Sequence, residues 1–188
     1  MKQSFYNHNF NDLEEVFKSN SFNLSAASLL FNWHYKKKRY DTCETDISKK
    51  TLSFIQNNFS FDLPKIDTVH ESTDGTVKFL FELQDGNKVE SVLIPFHNKY
   101  SICLSSQVGC AMNCSFCFTG TQGLKRNLET GEIVGQFLKA WHWLEKNRPD
   151  TMGNMLEIAN NGRVTNATGG NPVPSHLSGE DVPIGSVM

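Results

Sequence analysis

The residues of this chain best suited to chemistry are three cysteines in the loop Val108-Gly109-Cys110-Ala111-Met112-Asn113-Cys114-Ser115-Phe116-Cys117-Phe118-Thr119-Gly120. Their spacing is Cys, three residues, Cys, two residues, Cys. A structural zinc site normally closes its shell with four protein ligands. Three thiolates can instead hold three irons of a 4Fe-4S cluster and leave the fourth iron open to a small molecule. A disulfide framework fits poorly, because the number of cysteines in the loop is odd and no secretory signal precedes them. Zinc would need a fourth ligand, and the nearest histidines, His97 and His142, are not at finger-like spacing. Ordinary packed thiols would need no such local pattern of Gly and Phe.

Length and composition bound the rest. At 188 residues the chain can be one domain, or a small domain with part of a larger one. A net charge of -2 shows no global basic character, so contact with nucleic acid would rest on a local patch. No apolar run reaches membrane-spanning length, and Met1-Lys2-Gln3-Ser4-Phe5 lacks the apolar segment of a signal peptide. The cysteines therefore read as reduced thiols in a cytoplasmic protein with no membrane association.

The elements that must position the loop follow from periodicity. Leu13, Val16 and Phe17 share one helical face, as do Ala26, Leu29, Leu30 and Trp33 over Leu24 to Tyr35. A third helix, capped by Asp46 or Ser48, would carry Ile47, Leu52, Ile55 and Phe59. The run Lys36-Lys37-Lys38-Arg39-Tyr40 reads equally as a solvated helix end or as a contact for RNA phosphates. From Val69 the period becomes two: Val77, Phe79, Phe81 and Leu83, a turn at Asp85-Gly86-Asn87, and a second strand from Val89 to Ile94 ended by Pro95. Tyr100 to Val108 is a third extended stretch leading into the cysteine loop. Glu129 to Trp143 then reads as an amphipathic helix, capped by Thr130, with Ile133, Val134, Phe137, Leu138 and Trp141 inward. The cysteines thus fall on a strand-to-helix connection, a natural place for a site in an α/β sheet.

Ser101-Ile102-Cys103-Leu104-Ser105-Ser106-Gln107-Val108-Gly109-Cys110, with Cys114, Phe116 and Cys117, resembles the radical S-adenosylmethionine (SAM) superfamily. Gln122-Gly123-Leu124-Lys125-Arg126-Asn127-Leu128 and Gly131-Glu132-Ile133-Val134-Gly135-Gln136 narrow the resemblance to its RlmN/Cfr-like adenosine C2 methyltransferases. It runs from about Leu24 to Asp150 and is strongest over Glu90 to Gln136.

The resemblance implies that Cys110, Cys114 and Cys117 ligate a 4Fe-4S cluster whose open iron binds SAM. Cleavage of SAM would then generate a radical, which in this family acts on a methyl group carried by a C-terminal cysteine. The acceptor would be carbon 2 of an adenosine in 23S ribosomal RNA, transfer RNA or both, an amidine carbon that ordinary methyl transfer cannot use. A flavodoxin-like donor would reduce the cluster, and the protein would act as a monomer. Cys103 matches the family cysteine that resolves the protein–RNA adduct; from the residues alone it reads as a buried strand thiol. Glu90 matches a carboxylate near the substrate adenosine; by itself it reads as a solvent-facing strand residue. Cys43 matches no family role.

The implied fold is α/β. It comprises an N-terminal helical domain (1–60), a β-hairpin extension (61–98), and the first strand, cluster loop and helix of a partial (β/α) barrel (99–150). Beyond Asp150 the family's Gly-Glu-Pro segment and strand–helix alternation are absent, and the residues are rich in Gly, Asn, Pro and Ser. Segment 151–188 is expected to be a divergent, disordered tail. Cys117 is the last cysteine, so the methyl-carrying residue has no counterpart here. A truncated or frameshifted, inactive family member is one expectation; a non-catalytic iron–sulfur or RNA-binding fragment is the other.

Overall fold

The computed structural model describes residues 2–40, 47–96, 99–112, 115 and 117–150. Cys43, Cys114, Phe116 and the segment 151–188 lie outside the described residues. In chain order the elements are β1 (Gln3–Ser4), α1 (Phe10–Ser19), α2 (Leu24–Phe31), α3 (Lys49–Asn58), β2 (Phe59–Ser60), β3 (Lys65–Glu71), β4 (Val77–Glu82), β5 (Lys88–Phe96), β6 (Lys99–Cys103), β7 (Gln107–Val108), α4 (Phe118–Thr121), β8 (Arg126–Asn127) and α5 (Thr130–Asn147).

The N-terminal helices start where side-chain acceptors meet orphan backbone donors. Asn9 and Asp12 form a reciprocal capping box on α1, Asn23 caps α2, and Ser48 caps α3. A π-helical turn, Asn32–Lys36, extends α2 and brings His34 and Tyr35 to the Phe5 and Tyr6 rings. Phe5 and Tyr6, with Leu13, Phe17, Ala27, Leu30, Ile55 and Phe59, form one buried cluster, against which the partly buried Tyr35 packs. Leu29, expected inward, is 41% exposed; Ala26 and Leu30 are buried as expected, and Ala27 joins them on the buried face.

The second cluster sits beneath a four-stranded antiparallel sheet ordered β3-β4-β5-β6. The alternation in β4 holds as expected, with Val77, Phe79, Phe81 and Leu83 all buried. The strand expected to stop at Pro95 continues to Phe96, with Pro95 opposite Tyr100. Pro95 is tolerated because β4 has already ended at Val77, opposite Leu93, leaving Pro95 a neighbour on one side only. Lys99–Cys103, expected to open the next unit, is the edge strand of this same sheet. The single extended stretch expected over Tyr100 to Val108 is therefore two strands in two sheets, broken at Leu104–Ser106.

Helix α5 lies between the two clusters. Trp141, Ala140 and Leu144 pack under the sheet, while Leu138 packs with the N-terminal helices. Because both flanks are covered, the fully buried set differs from the single inward stripe expected: Ile133, Val134 and Phe137 are only partly buried, and Gln136 is wholly buried. Its start also differs. Glu129, not Thr130, is the N-cap and forms a capping box with Glu132. Asn7 reaches across from the N-terminal segment, its Oδ1 accepting from Gly131 N at 2.6 Å. Lys38, from the basic run, is buried over the Trp141 ring at 4.1 Å, a third role beside the two expected for that run. Among the described residues, no helix is long and apolar enough to cross a membrane.

Candidate active site: the cysteine loop and its supports

The loop is closed at its base by a short antiparallel ladder. Gln107 pairs with Asn127 and Val108 with Arg126. Lys125 N donates to Val108 O at 2.9 Å, and Leu128 N to Ser106 O at 2.8 Å. The chain thus leaves the ladder at Val108, passes the three cysteines and returns at Lys125. Gly109 makes the crossing possible. Its φ is +75°, and a Cβ there would be driven into the Gly123 backbone, 3.0 Å from its carbonyl carbon and closer still to its oxygen.

Within the loop, Cys110 and Cys117 are free thiols, both partly exposed. Cys110 Sγ accepts from Met112 N at 3.5 Å. Backbone donors to sulfur of this kind tune the potential of a thiolate-bound iron–sulfur centre. Cys117 precedes the single turn of α4, its carbonyl accepting from Thr121 N at 3.3 Å. The third expected ligand, Cys114, lies outside the described residues, and among the described residues no three ligating side chains converge as a metal site. The donor chemistry fits an iron–sulfur group: two soft thiols stand in one loop, partly accessible, with a backbone N–H already on one sulfur.

The exit of the loop is bolted to the rest of the molecule by Arg126. Its guanidinium donates to both oxygens of Glu132, at 2.7 and 2.8 Å, and through Nε to Asp85 Oδ2 at 2.8 Å. Glu132 also accepts from Glu129 N, so the same carboxylate serves the helix cap and the loop. These bonds, with Glu132 first, hold the guanidinium more firmly protonated than usual. Asp85 is held down to about 2, chiefly by hydrogen bonds from the Asn87 side chain and backbone and then by Arg126. Lys125 Nζ donates to Asn87 Oδ1 at 3.0 Å, so the β4–β5 turn is tied to two consecutive residues of the loop exit. Arg126 stood in the sequence only as part of a family motif; of its two acidic partners Glu132 is six residues on, while Asp85 is remote and nothing local signals it.

Glu90 and Cys103 share the sheet face turned away from α5. Cys103 stands opposite Val92, two residues from Glu90 along β5. Cys103 is exposed, which overturns the buried-thiol reading: at the sheet edge its side chain points to the outer face. Glu90 faces solvent and pairs with Lys78 Nζ at 3.0 Å. A polar cleft of about 360 Å3 lies on the other side of the loop exit, among Asn7, Pro64, Asp85, Arg126 and Glu129; neither Glu90 nor a cysteine lines it.

No family model matches the chain. Among curated proteins it is similar to the dual-specificity RNA methyltransferase RlmN of Bdellovibrio bacteriovorus, 42% identical over 137 residues, covering 72% of this chain and 34% of that protein. The probable dual-specificity RNA methyltransferase RlmN of Malacoplasma penetrans is 35% identical over 159 residues, covering 83% and 45%. Among solved structures, a radical SAM methyltransferase from Sphaerobacter thermophilus superposes with a TM-score of 0.69 at 31% identity, covering 77% of this chain and 43% of that one. The chain spans less than half the length of these relatives. The α/β architecture expected from the sequence agrees with that superposition. With its cysteine loop, its ladder and these likenesses together, the chain belongs to the radical SAM family as an RlmN-like member.

Proposed function

We propose that this chain carries the cluster-binding part of a radical SAM RNA methyltransferase that modifies carbon 2 of an adenosine in 23S ribosomal RNA, transfer RNA or both. The observation that carries the reading is the cysteine loop itself, clamped at its base by β7 and β8, crossed at Gly109 and Gly123, and fastened by Arg126. Cys110, Cys114 and Cys117 would hold a 4Fe-4S cluster, and SAM would complete it. That pair supplies one-electron cleavage of SAM, chemistry no side chain here can provide. A flavodoxin-like donor, a monomeric state and a cytoplasmic setting complete the proposal.

The chain's own residues divide the remaining work. Cys110 holds its sulfur toward Met112 N, and Cys117 stands at the start of α4. Glu90, paired with Lys78, offers a carboxylate oxygen to accept a proton or to position the base. Cys103, exposed on the same face, offers a thiolate to attack the sulfur of a methyl-carrying cysteine in a protein–RNA adduct: the S–S bond would form as the sulfur–carbon bond breaks, its electron pair staying with the RNA-borne carbon, which then takes a proton. Residues 1–60 serve as the accessory domain, 61–98 as the hairpin extension, 99–150 as the start of the core, and 151–188 as a divergent tail.

A second reading is a non-catalytic iron–sulfur or RNA-binding fragment, which would share the loop and lack turnover. Anaerobic reconstitution of the full chain, with iron and sulfide counted and SAM cleavage and 2-methyladenosine assayed, separates the two. About four irons per chain with product supports the enzyme; a cluster without SAM cleavage supports the fragment. Bound zinc in place of iron overturns both.

A further inference from the structure

Gln136 is wholly buried on α5, and each of its amide atoms is bonded twice. Its Oε1 accepts from Ser91 Oγ at 2.6 Å and from Ser105 N at 3.1 Å. Its Nε2 donates to Ser105 O at 3.0 Å and to Glu132 O at 3.2 Å. An amide group has two donors and two acceptor sites, so all four are used.

Where these bonds fall is informative. The β5–β6 ladder pairs Leu93 with Ile102 and Val92 with Cys103. Continued in the same register, it would set Ser105 opposite Glu90. It does not continue. Both backbone groups of Ser105 go to the Gln136 amide, and only its hydroxyl reaches the sheet, donating to Glu90 O at 2.7 Å. Gln136 thus takes the place of a strand partner and draws the chain off the sheet edge toward α5. Ser105 lies between Cys103, the last residue of β6, and Cys110, the first cysteine of the loop. The same helix, one turn earlier, fastens the loop exit through Glu132 and Arg126.

We propose that Gln136 is a positioning residue: by bonding both backbone groups of Ser105 it sets the separation and orientation of the Cys103 strand end and the Cys110 loop entrance. The inference rests on the proposed function only for the use made of those thiols. The physical reason for choosing a glutamine is that a leucine of similar volume would leave the part-buried N–H and C=O of Ser105 without these partners, and a glutamate would lack the donor for Ser105 O and Glu132 O.

The test compares full-length wild type, Gln136→Leu and Leu144→Ala. Leu144 is buried on the same helix and serves as the control for lost stability alone. Amide exchange at Ser105 and native-state labelling of Cys103 by a maleimide are read on the cluster-free chain; the electron paramagnetic resonance signal is read after reconstitution. Gln136→Leu is expected to speed Ser105 exchange about tenfold or more, the opening expected from losing both part-buried bonds to Ser105. It should also change the Cys103 labelling rate and alter the cluster signal, while Leu144→Ala changes none of the three at equal stability. If Gln136→Leu does not fold, Ser91→Ala removes one bond to Oε1 and should raise Ser105 exchange about threefold, with Lys125 and Leu128 amides unmoved. Unchanged Ser105 exchange in the folded variant, or equal changes in Leu144→Ala, overturns the proposal. A wild type that never binds iron yet shows the exchange and labelling changes would leave the role of Gln136 standing and remove the radical SAM reading instead.

Discussion

Replacing Gly109 with alanine should be the most damaging single-methyl change in the loop. Its φ of +75° is one that L-residues rarely adopt, and alanine there costs about 1 kcal/mol. The added Cβ also meets the Gly123 carbonyl group, 3.0 Å from its carbon. Backbone cannot swing aside as a side chain can, so the two strands of the loop neck must part, at about 2 kcal/mol more. Gly86 supplies the control. Its φ is +79°, yet a Cβ there has nothing within 4 Å. Gly86→Ala should therefore lose about 1 kcal/mol and Gly109→Ala about 3 kcal/mol, a difference near thirtyfold in the opening equilibrium. Urea unfolding followed by circular dichroism measures the global part. Thiol labelling of Cys110 in native buffer measures the local part, since a neck that opens on its own exposes that thiol first. Equal losses for the two alanine variants, by both measurements, would refute the claim that the Gly109–Gly123 crossing shapes the loop.

Further outcomes follow from the supports around the loop. Arg126→Lys keeps the charge but cannot bridge Glu132 and Asp85 with one planar fork; it should lose about 1.5 kcal/mol in urea unfolding and retain less iron after reconstitution. Asp85 is held at about 2, below its ordinary 3.8, so its stabilisation is complete above pH 4 and fades as pH falls toward 2. The stability gap between wild type and Asp85→Asn should narrow over that window and stay flat from pH 5 to 7 in acid-titrated urea melts. Tyr6→Phe removes the hydroxyl paired with His34 Nδ1 at 3.1 Å inside the N-terminal cluster and should cost about 1 kcal/mol, read as a lowered midpoint of thermal unfolding. Lys38→Ala should cost about 1 kcal/mol by uncovering Trp141, whereas Lys38→Met, which keeps the stem on the ring and removes a charge disfavoured by burial, should be near neutral in the same melts.

Much of this architecture could be read from the residues because their local preferences agree with the fold. The alternation of Val77, Phe79, Phe81 and Leu83 has one arrangement that buries all four, and Ser48 before a periodic run has one use as a cap. Thr130 is a good cap by type, but Glu129 takes the position: Glu132, three residues on, completes its box, a local signal the sequence already held, and Arg126 and Asn7 keep those carboxylates in place. Elsewhere a remote neighbour outvoted the local signal. Tyr100 to Val108 is extended throughout by composition, yet Gln136, from a helix far along the chain, breaks it at Ser105. Lys38 sits in a run of charges that reads as solvated, and only the approach of Trp141 buries it.

The sequence by itself carried the kinship of this chain and the expectation for its site. Three thiols at that spacing, followed by Lys125 to Leu128, point to an iron–sulfur ligand set, because ligand chemistry depends on residue type and on separations of a few residues. What the loop leans on was decided only in three dimensions. That Gly109 must lack a side chain because Gly123 crosses it, that one arginine joins a hairpin turn to a helix cap, and that a buried amide stands in for a strand partner each depend on a contact outside the local run of sequence. Their energies depend on distance and desolvation in the folded state, and neither quantity exists until the chain has closed on itself.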